Sequence, residues 1–196
     1  MFKEIYTLRP FFEAPNTEFN VREIARILKI TPATASKRLK DLKSTGFIKY
    51  RKERILDLYK ADLGSEIYRN LKTYYTIQQL NDTGLLEALN RFYLKPAIVL
   101  FGSASKGMDT EDSDIDLLLI TENIKVLPEQ KKYEQKLKRK IQLFTHKSIK
   151  EIRNEHLINN MANGITLQGN VEWIWQNAKE KDISKRQDPT RSLQNP

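Results

Sequence analysis

FGSASKGMDTEDSDIDLLLI, residues 101–120, opens on a Gly-Ser pair, Gly102 and Ser103, and runs through a knot of acids into an apolar stretch. Asp109, Glu111 and Asp112 fall where a turn is expected, and solvated acids are ordinary there. Asp114 and Asp116 are different. They take alternate positions of a strand-like run, 113–120, so they share one face while Ile115, Leu117 and Leu119 point the other way into a core. Just upstream, AIVLFG (97–102) is an unbroken apolar run of strand length, as expected of a strand buried on both faces. The chain then turns at Gly102-Ser103 into SASKG, read as a short helix or turn. Such a corner offers free backbone N–H groups. Gly102 permits close approach and Ser103 adds a hydroxyl, which together would cradle a phosphate. Two carboxylates about 7 Å apart along a strand would hold one hard cation between them and the phosphates.

The whole chain narrows what that pocket could be. Its 196 residues make one large domain or two small ones, with 39% hydrophobic residues and a mean hydropathy of −0.60. No apolar run approaches the roughly 20 residues of a membrane span, and MFKEIYTLRPFFEAPN has no signal-peptide pattern. A cytoplasmic protein without membrane contact is expected. Cysteine is absent, which excludes thiolate chemistry and Cys-based zinc, and His146 and His156 are too few for a His-rich centre. A metal would rest on carboxylates, which favours Mg²⁺ or Mn²⁺.

The net charge of +9 is uneven. Residues 31–54 carry eight bases against two acids, whereas 97–128 carry six acids against two bases. A basic half and an acidic pocket suggest two jobs. In the basic half, FNVREIARILKI reads as a helix with Asn20 as N-cap, Glu23 as its capping-box partner, and an apolar stripe of Ile24, Ile27 and Leu28. After a short turn, TPATASKRLKDLKSTG has Thr31 as N-cap and Pro32 at the first helical position. Ala35, Leu39 and Leu42 line one face, Thr34, Lys37, Arg38 and Asp41 the other, and Gly46 ends the helix. FIKY and RILDLY, with Arg51-Lys52-Glu53 as the turn between them, read as a β-hairpin.

This order of elements resembles the winged helix-turn-helix domain of transcription regulators. The resemblance implies double-stranded DNA as a partner. Thr34, Lys37 and Arg38 would enter the major groove, while the hairpin lays Arg51, Lys52 and Arg54 on phosphates. A small helical domain with an ordinary basic surface is the bland alternative. Against it stands the concentration of charge on the two elements that would touch DNA. Residues 62–94 read as a helical connector, with Leu63, Ile67, Leu71 and Tyr74 or Tyr75 as the apolar positions of its first helix. Such helices dimerise in regulators of this type, so the resemblance also implies a homodimer.

Gly102-Ser103, Lys106-Gly107 and, with ten residues intervening after Ser103, Asp114-Ile115-Asp116 resemble the signature of the minimal nucleotidyltransferases of the DNA polymerase beta superfamily, over about residues 97–170. The resemblance implies an NTP, with ATP as first candidate, bound by Gly102, Ser103 and Lys106. It implies Mg²⁺ or Mn²⁺ on Asp114 and Asp116 as catalytic carboxylates. The family's third carboxylate belongs on a later strand, and the matching position in KRKIQLFTHK is Gln142. A glutamine carbonyl is neutral and takes no proton from an attacking hydroxyl. Two functions stay open: a nucleotidyltransferase with attached DNA binding, or a regulator whose weak or inactive nucleotidyltransferase-like domain senses a nucleotide or binds a partner. Relatives of this kind act as antitoxins beside a small helical partner protein.

The expected fold class is α+β: a winged helix (1–61), a helical connector (62–94), a small mixed-sheet nucleotidyltransferase-like domain (95–182) and a disordered tail (183–196). Within the third region, PEQKKYEQKLKRK reads as a basic helix and SIKEIRNEHLINNM as a helix capped by Ser148 and Glu151, carrying His156 in a structural or surface role. GITLQGN reads as a closing strand and VEWIWQNAKEK as a last helix.

Overall fold

The computed structural model describes residues 2–171 of the chain; the helix expected in VEWIWQNAKEK from residue 172 on and the tail at 183–196 lie outside them. The fold is α+β. Two sheets, one of three strands and one of four, carry the two halves.

The first half begins with a helix that the sequence reading missed, α1 (Phe2–Glu13). Pro10 reads as a breaker, yet Leu8, Phe11 and Phe12 are buried on one side, and that packing outweighs one missing donor. β1 (Phe19–Asn20) leads into α2 (Val21–Leu28), where Asn20 accepts from the Arg22 and Glu23 N–H groups and Glu23 returns the bond. The buried positions are Ile24, Ala25 and Leu28, whereas Ile27 is exposed, so the stripe is rotated by part of a turn from the expected one. α3 (Pro32–Ser44) is capped by Thr31 and buries Ala35, Leu39 and Leu42, as the pattern requires.

The hairpin differs in register from its sequence reading. β2 (Ile48–Glu53) pairs antiparallel with β3 (Leu56–Ala61), from Ile48↔Ala61 to Glu53↔Leu56, so the turn is Arg54-Ile55. Arg51, Lys52 and Glu53 are strand residues. They looked like a turn because they are charged, but β2 is an edge strand with exposed side chains, where charge is ordinary.

α4 (Glu66–Asp82) and α5 (Leu85–Tyr93) follow. The expected face of α4 is also displaced: Ile67 and Tyr74 are exposed, while Tyr68, Lys72, Thr73, Thr76 and Leu80 are buried. Tyr68, Leu71 and Tyr75 pack into the core of the first half, and Leu80 joins α5 in the core of the second. One helix therefore serves both.

In the second half, β4 (Ala97–Phe101), β5 (Ile115–Ile120), α6 (Gln130–Leu137), β6 (Ile141–His146), α7 (Glu155–Ala162) and β7 (Ile165–Gln168) give a mixed sheet ordered β6-β5-β4-β7. β5 and β6 are parallel and the other pairs antiparallel. Ile98, Leu100, Leu117 and Leu119 face the α4/α5 side, and Val99, Phe101 and Leu118 face α7, so β4 is buried on both faces. The proposed Ser148–Glu151 capping box is not formed: residues Ile149–Glu151 make a 3₁₀ turn, and α7 is capped instead by Asn154. The Glu151 carboxylate accepts from the Lys147 N–H at 3.1 Å. His156 is exposed.

Candidate nucleotide site and nucleic-acid interface

The corner after β4 is built around a backbone that only glycine tolerates. Gly102 has φ +72°, and a Cβ there would overlap the Asp116 carboxylate. A 3₁₀ turn (Ala104–Lys106) follows, held by Ser105 Oγ donating to the Gly102 carbonyl at 2.9 Å and the Met108 N–H donating to the Ser103 carbonyl at 3.0 Å. Ser103 is half-buried and Lys106 exposed. Neither side chain has a hydrogen-bond partner among the described residues.

Antiparallel pairing of Phe101 with Asp116 brings the second carboxylate beside this corner. Asp114 lies one residue before β5. Burial, and then the Asp114 charge, push the Asp116 carboxyl above the ordinary carboxylate range, with Arg139 pulling the other way. Gln142 sits directly across from Asp116 in the parallel β5–β6 register. Its amide Nε2 donates to Asp114 Oδ2 at 2.5 Å. Five of the six residues proposed for the nucleotide site, Gly102, Ser103, Asp114, Asp116 and Gln142, thus converge at the end of one sheet, with Lys106 on the adjoining turn. Two acceptor carboxylates, one of them raised by burial and by its neighbour, beside a backbone corner are a donor set suited to a hard divalent cation. The Gln142 amide turns its Nε2 toward Asp114 and brings no charge.

Three residues that sequence reasoning passed over hold this arrangement. Asp109, in the loop between β4 and β5, is buried and paired to Lys72 of α4 and, at 2.6 Å, to Arg139. The Lys72 ammonium also donates to the Asp109 carbonyl. Burial pulls Lys72 below its ordinary value, opposed by the Asp109 charge. A lysine among Tyr68, Thr73 and Thr76 reads in one dimension as a solvated position; no local pattern points to its burial.

On the basic half, Lys37 is exposed on the outer face of α3, joined by Lys40, which the sequence reading did not single out. Thr34 is tied to the N-cap through its hydroxyl, 2.9 Å from Thr31 Oγ1. Arg38 reaches back to Thr7 Oγ1 of α1 at 3.4 Å. Arg51 is engaged by Glu18, at 2.7 and 2.5 Å, and by Glu53 at 2.7 Å. Lys52 and Arg54 are exposed without such partners among the described residues, and Ile55, 93% exposed, sits beside Arg54 at the hairpin tip.

Comparison with known proteins agrees with both halves. A family model described as "Nucleotidyltransferase domain" matches residues 83–163, and one described as "Winged helix-turn-helix DNA-binding" matches residues 20–49. The chain carries a winged helix-turn-helix domain followed by a nucleotidyltransferase domain. A search of curated proteins found no match. Among solved structures, one described as "Crystal structure of the toxin-antitoxin with AMP-PNP" is 23% identical over 54% of this chain and 86% of that chain, with a TM-score of 0.37. Among the described residues no helix is long and apolar enough to cross a membrane.

Proposed function

We propose that the chain is a DNA-binding protein whose second half binds an NTP with Mg²⁺ or Mn²⁺, ATP being the first candidate, and that it transfers a nucleoside monophosphate slowly or not at all. The observation that supports the reading is the closeness of Gly102 to Asp116: pairing of β4 with β5 sets the glycine corner beside the carboxylates. Asp114 and Asp116 would hold the cation, the Gly102-Ser103 backbone and the Ser103 hydroxyl the phosphates, and Lys106 their outer charge. The bound cation would supply charge neutralisation on the phosphates. Duplex DNA would lie on α3 through Lys37 and on the hairpin through Lys52 and Arg54.

Calorimetry of the full chain with ATP and Mg²⁺ tests this. Binding is expected in wild type and at least tenfold weaker in Asp114→Asn, which loses one of two cation-holding charges. Equal binding by both forms would assign the pocket another purpose. A second reading, a regulator that only senses nucleotide, draws support from Gln142, whose amide occupies Asp114 where a third carboxylate would otherwise repel it. The absence of label transfer from α-labelled ATP by a chain that binds ATP would favour it.

A further inference from the structure

The loop from Gly102 to Asp114 is not self-supporting; α4 underlies it. Gly107, at φ +62°, lies so close to α4 that a Cβ would overlap the Arg69 carbonyl. Thr73 Oγ1 donates to the Ser105 carbonyl at 3.4 Å, and Lys72 is 1% exposed, against Asp109 at 2%. From the other side Arg139, following α6, sends its whole fork into the same loop. Nη1 meets Asp109 Oδ2 at 2.6 Å, Nε the Ser113 carbonyl at 2.8 Å and Nη2 the Asp114 carbonyl at 3.1 Å. The strand entry that carries Asp114 is therefore clamped by a guanidinium whose own orientation is fixed by Asp109. Asp109 in turn is held by a buried lysine.

We propose that Lys72 and Arg139, joined through Asp109, are positioning residues that set the Asp114 carboxylate for cation binding. The inference rests on the nucleotide-site reading above and goes beyond it, because neither residue touches the cation or the phosphates. Geometry and charge make opposite predictions here. Lys72 and Arg139 are positive, so on Coulomb grounds removing either charge would tighten a cation site. A positioning role demands the reverse: partners that orient a ligand typically cost 10- to 100-fold in metal affinity when lost. Arg139→Lys retains the charge and abolishes the fork, whereas Lys72→Met retains the stem's bulk and abolishes the charge.

Titration of the full chain with MnCl₂, followed by electron paramagnetic resonance of free Mn²⁺, reads the site without any activity. The expected result is about tenfold weaker Mn²⁺ binding in each variant. The double variant should be scarcely weaker than Arg139→Lys alone, since Lys72 acts on Asp114 only through Asp109 and then Arg139. Circular dichroism identifies a variant that fails to fold, and Arg139→Lys, the milder change at a side chain 15% exposed, then decides alone. A folded variant with wild-type affinity, or a tighter Lys72→Met, overturns the inference while wild type binds. A fall in thermal midpoint with unchanged affinity assigns the triad to stability only, which also overturns it. Wild type that takes up no Mn²⁺ defeats the nucleotide-site reading, and the inference with it.

Discussion

Asp116→Asn should make the metal-free protein more stable and the metal-bound protein relatively less so. The Asp116 carboxylate makes no hydrogen bond among the described residues, and it is raised by burial and by Asp114. Two charges about 7 Å apart along a strand repel by about 0.6 kcal/mol in water and about 2.4 kcal/mol at an effective dielectric of 20. Both side chains are partly solvated, so about 1 kcal/mol is the working figure, or roughly 2–4 °C in thermal midpoint for a chain of this length. The folded-state value is raised, so Asp116's contribution to stability is fully present below its unfolded value of 3.8 and is lost as pH rises through the raised value. At neutral pH in chelator the asparagine variant is therefore expected to melt a few degrees higher. Mg²⁺ at about ten times its dissociation constant should return about 1.4 kcal/mol to wild type alone, and the order of midpoints should close or reverse. Differential scanning calorimetry in chelator and in Mg²⁺, at pH 7.5 and below 4, measures all four cases. A variant less stable in chelator, or one that keeps the Mg²⁺ shift, would refute the paired-carboxylate reasoning.

Gln142→Asp places a third carboxylate across from Asp116 and beside Asp114; it should strengthen cation binding and raise label transfer from α-labelled ATP above wild type, and a drop in Mn²⁺ affinity would show the position is misassigned. On the DNA side, Lys52→Ala with Arg54→Ala should flatten the salt dependence of duplex binding by up to about two units, while Arg51→Ala should change it little because Glu18 and Glu53 already hold that guanidinium. Mobility shifts across a salt series check both, and an equal loss from Arg51→Ala would contradict the assignment. Tyr68 donates to the Phe11 carbonyl at 2.7 Å, and burial followed by the Asp109 and Glu111 charges pushes its phenol far above the ordinary value of 10.0. That contribution is fully present below pH 10 and is lost above it, so Tyr68→Phe should cost about 1 kcal/mol at pH 8 and flatten the alkaline fall in urea midpoint; unchanged alkaline slopes would count against this.

The glycine corner and the carboxylates beside it were legible as structure because their signals are local. An apolar run of strand length, a glycine at a corner and two acids at period two each follow from steric and solvation rules that act within a few residues. The same holds for the Asn20 and Thr31 caps. Where the reading slipped, a distant partner had changed the meaning of a residue. The charged run at 51–53 resembles a turn until β3 pairs with it and leaves its side chains on an exposed edge. Pro10 breaks a helix in isolation but not when Leu8, Phe11 and Phe12 are pinned against α2, α3 and α4.

Lys72 is the extreme case, and the one that bears most on function. By composition it belongs to the solvated face of α4; of the apolar positions expected to pack, Leu63, Leu71 and Tyr75 do so, whereas Ile67 and the alternative Tyr74 are exposed. The face is decided instead by Asp109, 37 residues away, and by Arg139, a further 30 along. Burying a lone ammonium in a core is too costly to survive unpaired. The burial of Lys72 therefore presupposes the folded loop that supplies Asp109, and that loop presupposes the helix beneath it. The same helix donates Tyr68 and Tyr75 hydroxyls to Phe11 and Glu13 of α1. The helix that carries Lys72 is thus bonded directly to the winged helix half through Tyr68 and Tyr75.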